Sequence, residues 1–99
     1  MADRLAAALG LAAGRLWIKR DDLLGLAGGG NKARKLEFSV GAAVTANADV
    51  LVTGGAAQSN HVRMTAAAGA RLGLDVVAVM TSDPPSRAEG NVLLETMFD

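Results

Sequence analysis

The chain has 99 residues, ten Lys plus Arg against ten Asp plus Glu, and half its residues are hydrophobic, which makes it one small folded domain at most. Charge balance removes the electrostatic basis for binding nucleic acid or an anionic membrane, and Trp17, Phe38 and Phe98 are too few for a base-stacking platform. The lack of cysteine excludes disulfides, thiolate metal sites and thiol nucleophiles, and a single histidine, His61, argues against a zinc site, so no metal is expected.

The N-terminal MADRLAAALGLAAG has apolar runs too short to span a bilayer, and Asp3 and Arg4 fit a signal peptide poorly. A cytoplasmic location is the expectation. RLAAAL, 4–9, predicts a short helix ended by Gly10. LWIK, 16–19, predicts a strand, and KRDD leads from it into the flexible LLGLAGGG. Asn31 is a candidate cap. Ala33, Leu36, Val40, Ala43 and Val44 then recur at helical spacing and predict a helix over 32–46.

VLVT, 50–53, predicts a buried strand. GGAAQSN follows as a loop, and Ser59 or Asn60 is placed to cap the helix HVRMTAAAGARL, which Gly73 ends. VVAVM, 76–80, predicts a second strand. Together these make a βαβ unit with parallel strands and a right-handed crossover. SDPPSRAEG, 82–90, is a loop in which Pro84 and Pro85 exclude regular structure, and NVLLETMF, 91–98, predicts a last helix. The fold class is α/β. One βαβ unit leaves the faces of a parallel sheet uncovered, so the chain reads as part of something larger or as a self-associating piece.

Two loops carry the candidate chemistry. GGGNKARKLEF, 28–38, fails as a Walker A loop: Asn31 stands where the lysine belongs, and Ala33 lacks the hydroxyl for Mg²⁺. Gly28, Gly30 and Ala33 satisfy a GxGxxA pattern with Asp49 further on. The LLGLA insert separates these glycines from the preceding strand, and Asp49 precedes its strand instead of following it. A third reading uses Lys32 itself. Positive charge from the helix start, Arg34 and Lys35 favours the neutral amine, the form that attacks a carbonyl. The plainer reading is a solvated basic helix start. TGGAAQSNH, 53–61, follows a strand's C-terminal end, where open α/β sheets bind ligands, and offers Gln58, Ser59, Asn60 and His61. One cap explains one polar residue, not four. Ser59 with His61 does not make a triad, because no acid and no GxSxG turn accompany them.

KRDD, GGNKxRKLE and QSNHxRxTAA, in this order and spacing, resemble the D-cysteine desulfhydrase and 1-aminocyclopropane-1-carboxylate deaminase family. The resemblance runs from about Arg4 to Phe98. It implies a pyridoxal-phosphate enzyme of the tryptophan-synthase-β-like fold (fold type II), a lyase or deaminase acting on a small amino acid, and a homodimer at full length. By the resemblance, Lys32 matches the lysine that holds the cofactor covalently and moves protons. Asn60 matches the asparagine near the ring hydroxyl, and Lys35 a lysine near the phosphate. Ser59 matches a catalytic serine facing the substrate, with Gln58 and His61 lining the same pocket. QSNH and KRDD look more like the desulfhydrase branch, whose substrate is D-cysteine; the deaminase branch tends to carry QSNQ and KRED.

Family members are several times longer. Residues 1–31 are expected to form an N-terminal strand and glycine loop, and 32–99 a helix and the βαβ part of an incomplete small domain. The later glycine/threonine loop that grips the phosphate is absent, as are the C-terminal aromatic residues that contact substrate. The expectation is therefore an N-terminal fragment that binds cofactor weakly and turns over little or nothing alone. Two other classes stay open: a nucleotide-binding module using GGGNK, and a non-catalytic self-associating fragment.

Overall fold

The computed structural model describes residues 1–83 and 85–98; the expectation for Pro84 lies outside them. The described elements are α1 (Asp3–Ala8), α2 (Ala33–Thr45), β1 (Val50–Gly55), α3 (Asn60–Leu72), β2 (Asp75–Met80) and α4 (Gly90–Glu95), with a 3₁₀ turn at Asp21–Leu23. β1 and β2 pair in parallel, from Val50 opposite Asp75 to Gly55 opposite Met80. α3 is the connection between them, so the expected βαβ unit forms.

Local chemistry sets the ends of α3. The Ser59 hydroxyl accepts from the N–H groups of His61 (3.2 Å) and Val62 (3.4 Å), satisfying two donors of the first turn. At the other end Gly73 takes φ 69°, the left-handed conformation that closes a helix at little cost for glycine. Between them Val62, Arg63, Met64, Thr65, Ala67, Ala68 and Gly69 are all buried, which makes α3 the central helix. Leu36 and Val40 of α2 pack on Met64 and Ala68, with Leu26, Ala33 and Leu51 around them. Gly69 allows α3 to lie close to the sheet: a Cβ there would stand 2.2 Å from Val76 Cγ2 and 2.8 Å from the Leu74 carbonyl oxygen. Gly69→Ala should therefore destabilise the fold by about 1–3 kcal/mol through overpacking, measured as a lower denaturation midpoint.

The strand expected at 16–19 does not form. A strand needs a ladder partner, and β1 and β2 make the one sheet among the described residues. Trp17 is 70% exposed and its indole N–H donates to the Gly14 carbonyl at 3.0 Å. β1 runs two residues beyond the expected 53, through Gly54 and Gly55, because the ladder continues to Met80. Gly55 has a packing reason: a Cβ would meet Ser59 Oγ at 2.8 Å. α4 stops at Glu95, short of 98, because the amides of Met97 and Phe98 bond three residues back and tighten the last turn.

The face of the sheet away from α3 is open. Val52 is 73% exposed, and Val77 and Val79 are also exposed. The radius of gyration is 17.1 Å, where a compact chain of this length has about 13 Å. No helix among the described residues is long and apolar enough to cross a membrane.

Candidate functional site

Two loops meet at the N-terminal ends of α2 and α3. The glycine loop reaches its shape through positive-φ residues: Ala27 (50°), Gly28 (79°), Gly29 (80°) and Gly30 (142°). Its amides turn inward. Gly29 N–H donates to the Leu26 carbonyl at 2.9 Å and Gly30 N–H to the Asp21 carbonyl at 2.8 Å. These donors are spent on the protein, which argues against a loop that cradles nucleotide phosphates through its N–H groups.

Ion pairing fastens the KRDD segment to α2. Arg34 Nε donates to both carboxylate oxygens of Asp21, at 2.9 and 3.0 Å. The Arg34 guanidinium holds the Asp21 carboxyl below the usual carboxylate range, against an opposing effect of burial. The Arg20–Asp22 pair beside it is exposed and contributes little to stability.

α2 begins without a side-chain cap. Asn31, expected as that cap, instead uses its Oδ1 to accept from Asn60 Nδ2 at 3.3 Å. This bond joins the residue before Lys32 to the first residue of α3. Lys32 is half-buried at the start of α2 and Lys35 is exposed one turn on. Neither makes an ion pair among the described residues.

His61 is half-buried and its Nδ1 is buried without a hydrogen-bond partner among the described residues. Burial pushes its pKa down, and the charges of Lys35 and then Lys32 push it the same way. The two lysines of one loop and the histidine of the other therefore share one electrostatic neighbourhood. The unfolded chain binds a proton near the ordinary imidazole value of about 6.5, while the folded chain resists it. Stability attributable to His61 is therefore complete above that value. It declines as pH falls through it and levels off below the depressed folded value. Replacing His61 with Gln should flatten this part of the stability–pH curve, checked by denaturant unfolding across the acid range.

The Gln58 side chain is bonded to the start of α4. Its Nε2 donates to the Glu89 carbonyl at 3.1 Å, and its Oε1 accepts from Asn91 N–H at 2.9 Å. Asn91 Nδ2 returns a bond to the Gln58 carbonyl at 2.7 Å. The Gln58 amide is thus committed to the start of α4 and holds that helix against the QSN loop. The Ser59 hydroxyl caps α3 through its lone pairs, and its own proton stays available.

Arg63 is the residue that sequence reasoning passed over. It is 8% exposed, and its guanidinium donates to the carbonyls of Ala27 and of Gly29, the latter at 2.9 Å. The signal was present: a charged residue directly between Val62 and Met64, ahead of the run of small residues from Ala66 to Ala70.

Two surface grooves lie elsewhere. One runs between α2 and α3 past Leu36, Val40 and Leu72, and the other under α3 against β2 and α4. Neither is lined by Lys32, Ser59, Asn60 or His61. Their linings are mostly apolar. The Asn60–Asn31 bond brings the amide of one loop beside the residue before Lys32, next to the Ser59 hydroxyl and the His61 imidazole in sequence.

Comparison with known proteins defines the class. The model of the pyridoxal-phosphate dependent enzyme family matches residues 1–96, and the chain belongs to that family. Among individual relatives, D-cysteine desulfhydrase of Klebsiella pneumoniae is 52% identical over 85% of this chain and 27% of its own length. The enzyme of the same name from Salmonella paratyphi B is 51% identical with the same coverage. A solved structure described as an ACC deaminase homologue superposes with a TM-score of 0.77 at 41% identity, covering 95% of this chain and 27% of that one. The chain thus spans about a quarter of the length of the relatives it matches.

Proposed function

We propose that the chain carries the lysine-bearing part of a pyridoxal-phosphate lyase whose substrate is D-cysteine. The observation that carries the proposal is the junction of the two loops by the Asn60–Asn31 bond, with Lys32 next in sequence. The donor set suits the cofactor. Lys32 offers a primary amine to its aldehyde and Lys35 a cation to its phosphate. Asn60 offers an amide to its ring oxygen. Bound there, pyridoxal phosphate supplies an electron sink for negative charge at the α-carbon of an amino acid.

The remaining steps belong to the chain's own groups. The Lys32 amine anchors the cofactor and, once released, takes and returns the α-proton. The Ser59 hydroxyl, held by its cap bonds, presents its O–H to the substrate. The amide of Asn60, shared with Asn31, orients the ring. His61, kept neutral, adds no further cation and leaves the two lysines to meet the anionic groups. Gln58 positions α4 instead of touching substrate. Loss of H₂S from D-cysteine followed by hydrolysis gives pyruvate and ammonia, with water as the co-reactant. At full length we take the protein to be a cytoplasmic homodimer, independent of nucleic acid and membrane, in which residues 32–99 form part of the small domain.

Identity to desulfhydrases and the His61 position favour D-cysteine over 1-aminocyclopropane-1-carboxylate as substrate. The test compares sulfide and pyruvate released from D-cysteine with ammonia released from 1-aminocyclopropane-1-carboxylate, by the 99-residue chain and by a full-length protein carrying it. Sulfide from the full-length protein alone is expected. Ammonia from the cyclopropane substrate without sulfide from D-cysteine would move the assignment to the deaminases. Full turnover by the 99 residues would overturn their reading as an incomplete site.

A further inference from the structure

Asp21 holds the chain on both sides of Lys32. Its backbone carbonyl accepts from the Gly30 N–H at 2.8 Å, two residues before the lysine. Its carboxylate takes Arg34, two residues after. There Nε donates to both oxygens, at 2.9 and 3.0 Å, and a terminal guanidinium nitrogen adds a third bond. Asp21 is itself fixed: it begins the 3₁₀ turn, and the Leu24 N–H closes on the same carbonyl at 3.4 Å.

Each hold has a local cause. Gly30 takes φ 142° against the core, where a Cβ would stand 3.0 Å from the sulfur of the fully buried Met64. That path delivers its N–H to Asp21. On the other side, the Asp21 and Arg34 side chains are only 26% and 41% exposed, so their contact is partly shielded from water. A guanidinium fork meets a carboxylate at two points, whereas an ammonium is a point charge without that geometry. The Lys32 side chain makes no ion pair among the described residues. Its placement therefore depends on how the backbone is held at residues 30 and 34.

We propose that Asp21 is a positioning residue for Lys32: its carbonyl holds Gly30, its carboxylate holds Arg34, and together they set where the lysine amine stands. Asp21 acts through the backbone around Lys32 and not on the reacting atoms. The inference rests on the reading of Lys32 as the cofactor's anchor. Position and charge predict opposite results when the carboxylate is neutralised. Removing a negative neighbour leaves more free amine and favours reaction. Losing the hold on the chain disfavours it.

The test uses the full chain with saturating pyridoxal phosphate, reduced with borohydride and mapped by peptide mass. A parallel measurement follows amide exchange over residues 28–34. D21N removes the charge and keeps the backbone carbonyl. It should lower the excess of label at Lys32 over Lys19 and Lys35 about fivefold and speed loop exchange similarly, the upper range for a partly exposed bidentate pair. R34K keeps the positive charge and loses the fork; with label at position 34 counted separately, it should lower the excess by the same factor. The double variant D21N/R34K should fall no further than either single one, because the two side chains form one contact. Amides of α3 should hold their protection throughout. Unchanged or raised labelling of Lys32 in D21N would overturn the proposal, as would losses that multiply in the double variant or a rise in exchange shared equally by α3. If D21N fails to fold, R34K decides alone, and parent labelling and exchange there would overturn it. If the unsubstituted chain shows no excess of label at Lys32, the proposed function fails, and the loop exchange rates alone then decide this inference.

Discussion

Replacing Lys32 with alanine should reduce turnover of D-cysteine, in a full-length protein carrying this segment, by on the order of 10⁴ or more, as expected for loss of a group that acts covalently. The fold should survive the change. The Lys32 side chain is half-buried and makes no ion pair among the described residues, and α2 begins at Ala33. Lys32→Arg is the sharper variant. It keeps positive charge at the start of α2 but offers no free amine, since guanidinium does not lose its proton in proteins. Both variants should fail alike, with the far-UV spectrum unchanged. Steady-state rates within tenfold of the parent in either variant would contradict the assigned role.

Gly29→Ala should be the most damaging change in the glycine loop. Gly29 is buried at φ 80°, and an added Cβ would lie 2.3 Å from the carbonyl oxygen of Asp22. The obstacle is backbone, so no rotamer change relieves it. Left-handed strain and overpacking together should cost about 3 kcal/mol or more. Gly10 provides the control: its φ is 70° but nothing stands within 4 Å of its Cβ position. Gly10→Ala should therefore cost only the conformational term, about 1 kcal/mol. Denaturant unfolding of the two variants measures the difference. Equal losses would mean that the close approach at Gly29 carries no cost.

The parts of this fold legible in the sequence are those set by local chemistry. The Ser59 cap and the Gly73 stop fix α3 because each acts within a few residues of itself. VLVT and VVAVM could be paired because a helix-length segment separates them and parallel strands need such a crossover. Leu16–Lys19 misled for the converse reason: its residues suit a strand, but strand formation depends on a distant edge, and β1 and β2 provide none for it. Of the site, the two loops stood out because their glycines and clustered polar residues are costly to explain as turns alone. Their junction did not. Asn31 read as a cap, whereas its side chain serves Asn60, and the bonds of the Gln58 amide to α4 were not foreseen. Arg63 looked like one more charge on a helix. Its burial against the glycine loop follows from tertiary packing, which periodicity does not encode.

One property links these residues: each connects elements distant in sequence. Asp21 with Arg34, Asn31 with Asn60, and Arg63 with Ala27 and Gly29 together fasten KRDD, GGNK and QSNH into a single unit around Lys32. The order and spacing of those motifs thus have a physical cause, because each supplies a partner for another. The chain that carries this unit spans about a quarter of its relatives' length.

The central claim is that this junction presents Lys32 to pyridoxal phosphate. Borohydride reduction of the chain in the presence of the cofactor, followed by peptide mapping, tests it most directly. The account predicts a stable adduct concentrated on Lys32, above Lys19 and Lys35. No adduct, or label spread evenly over the three lysines, would contradict it.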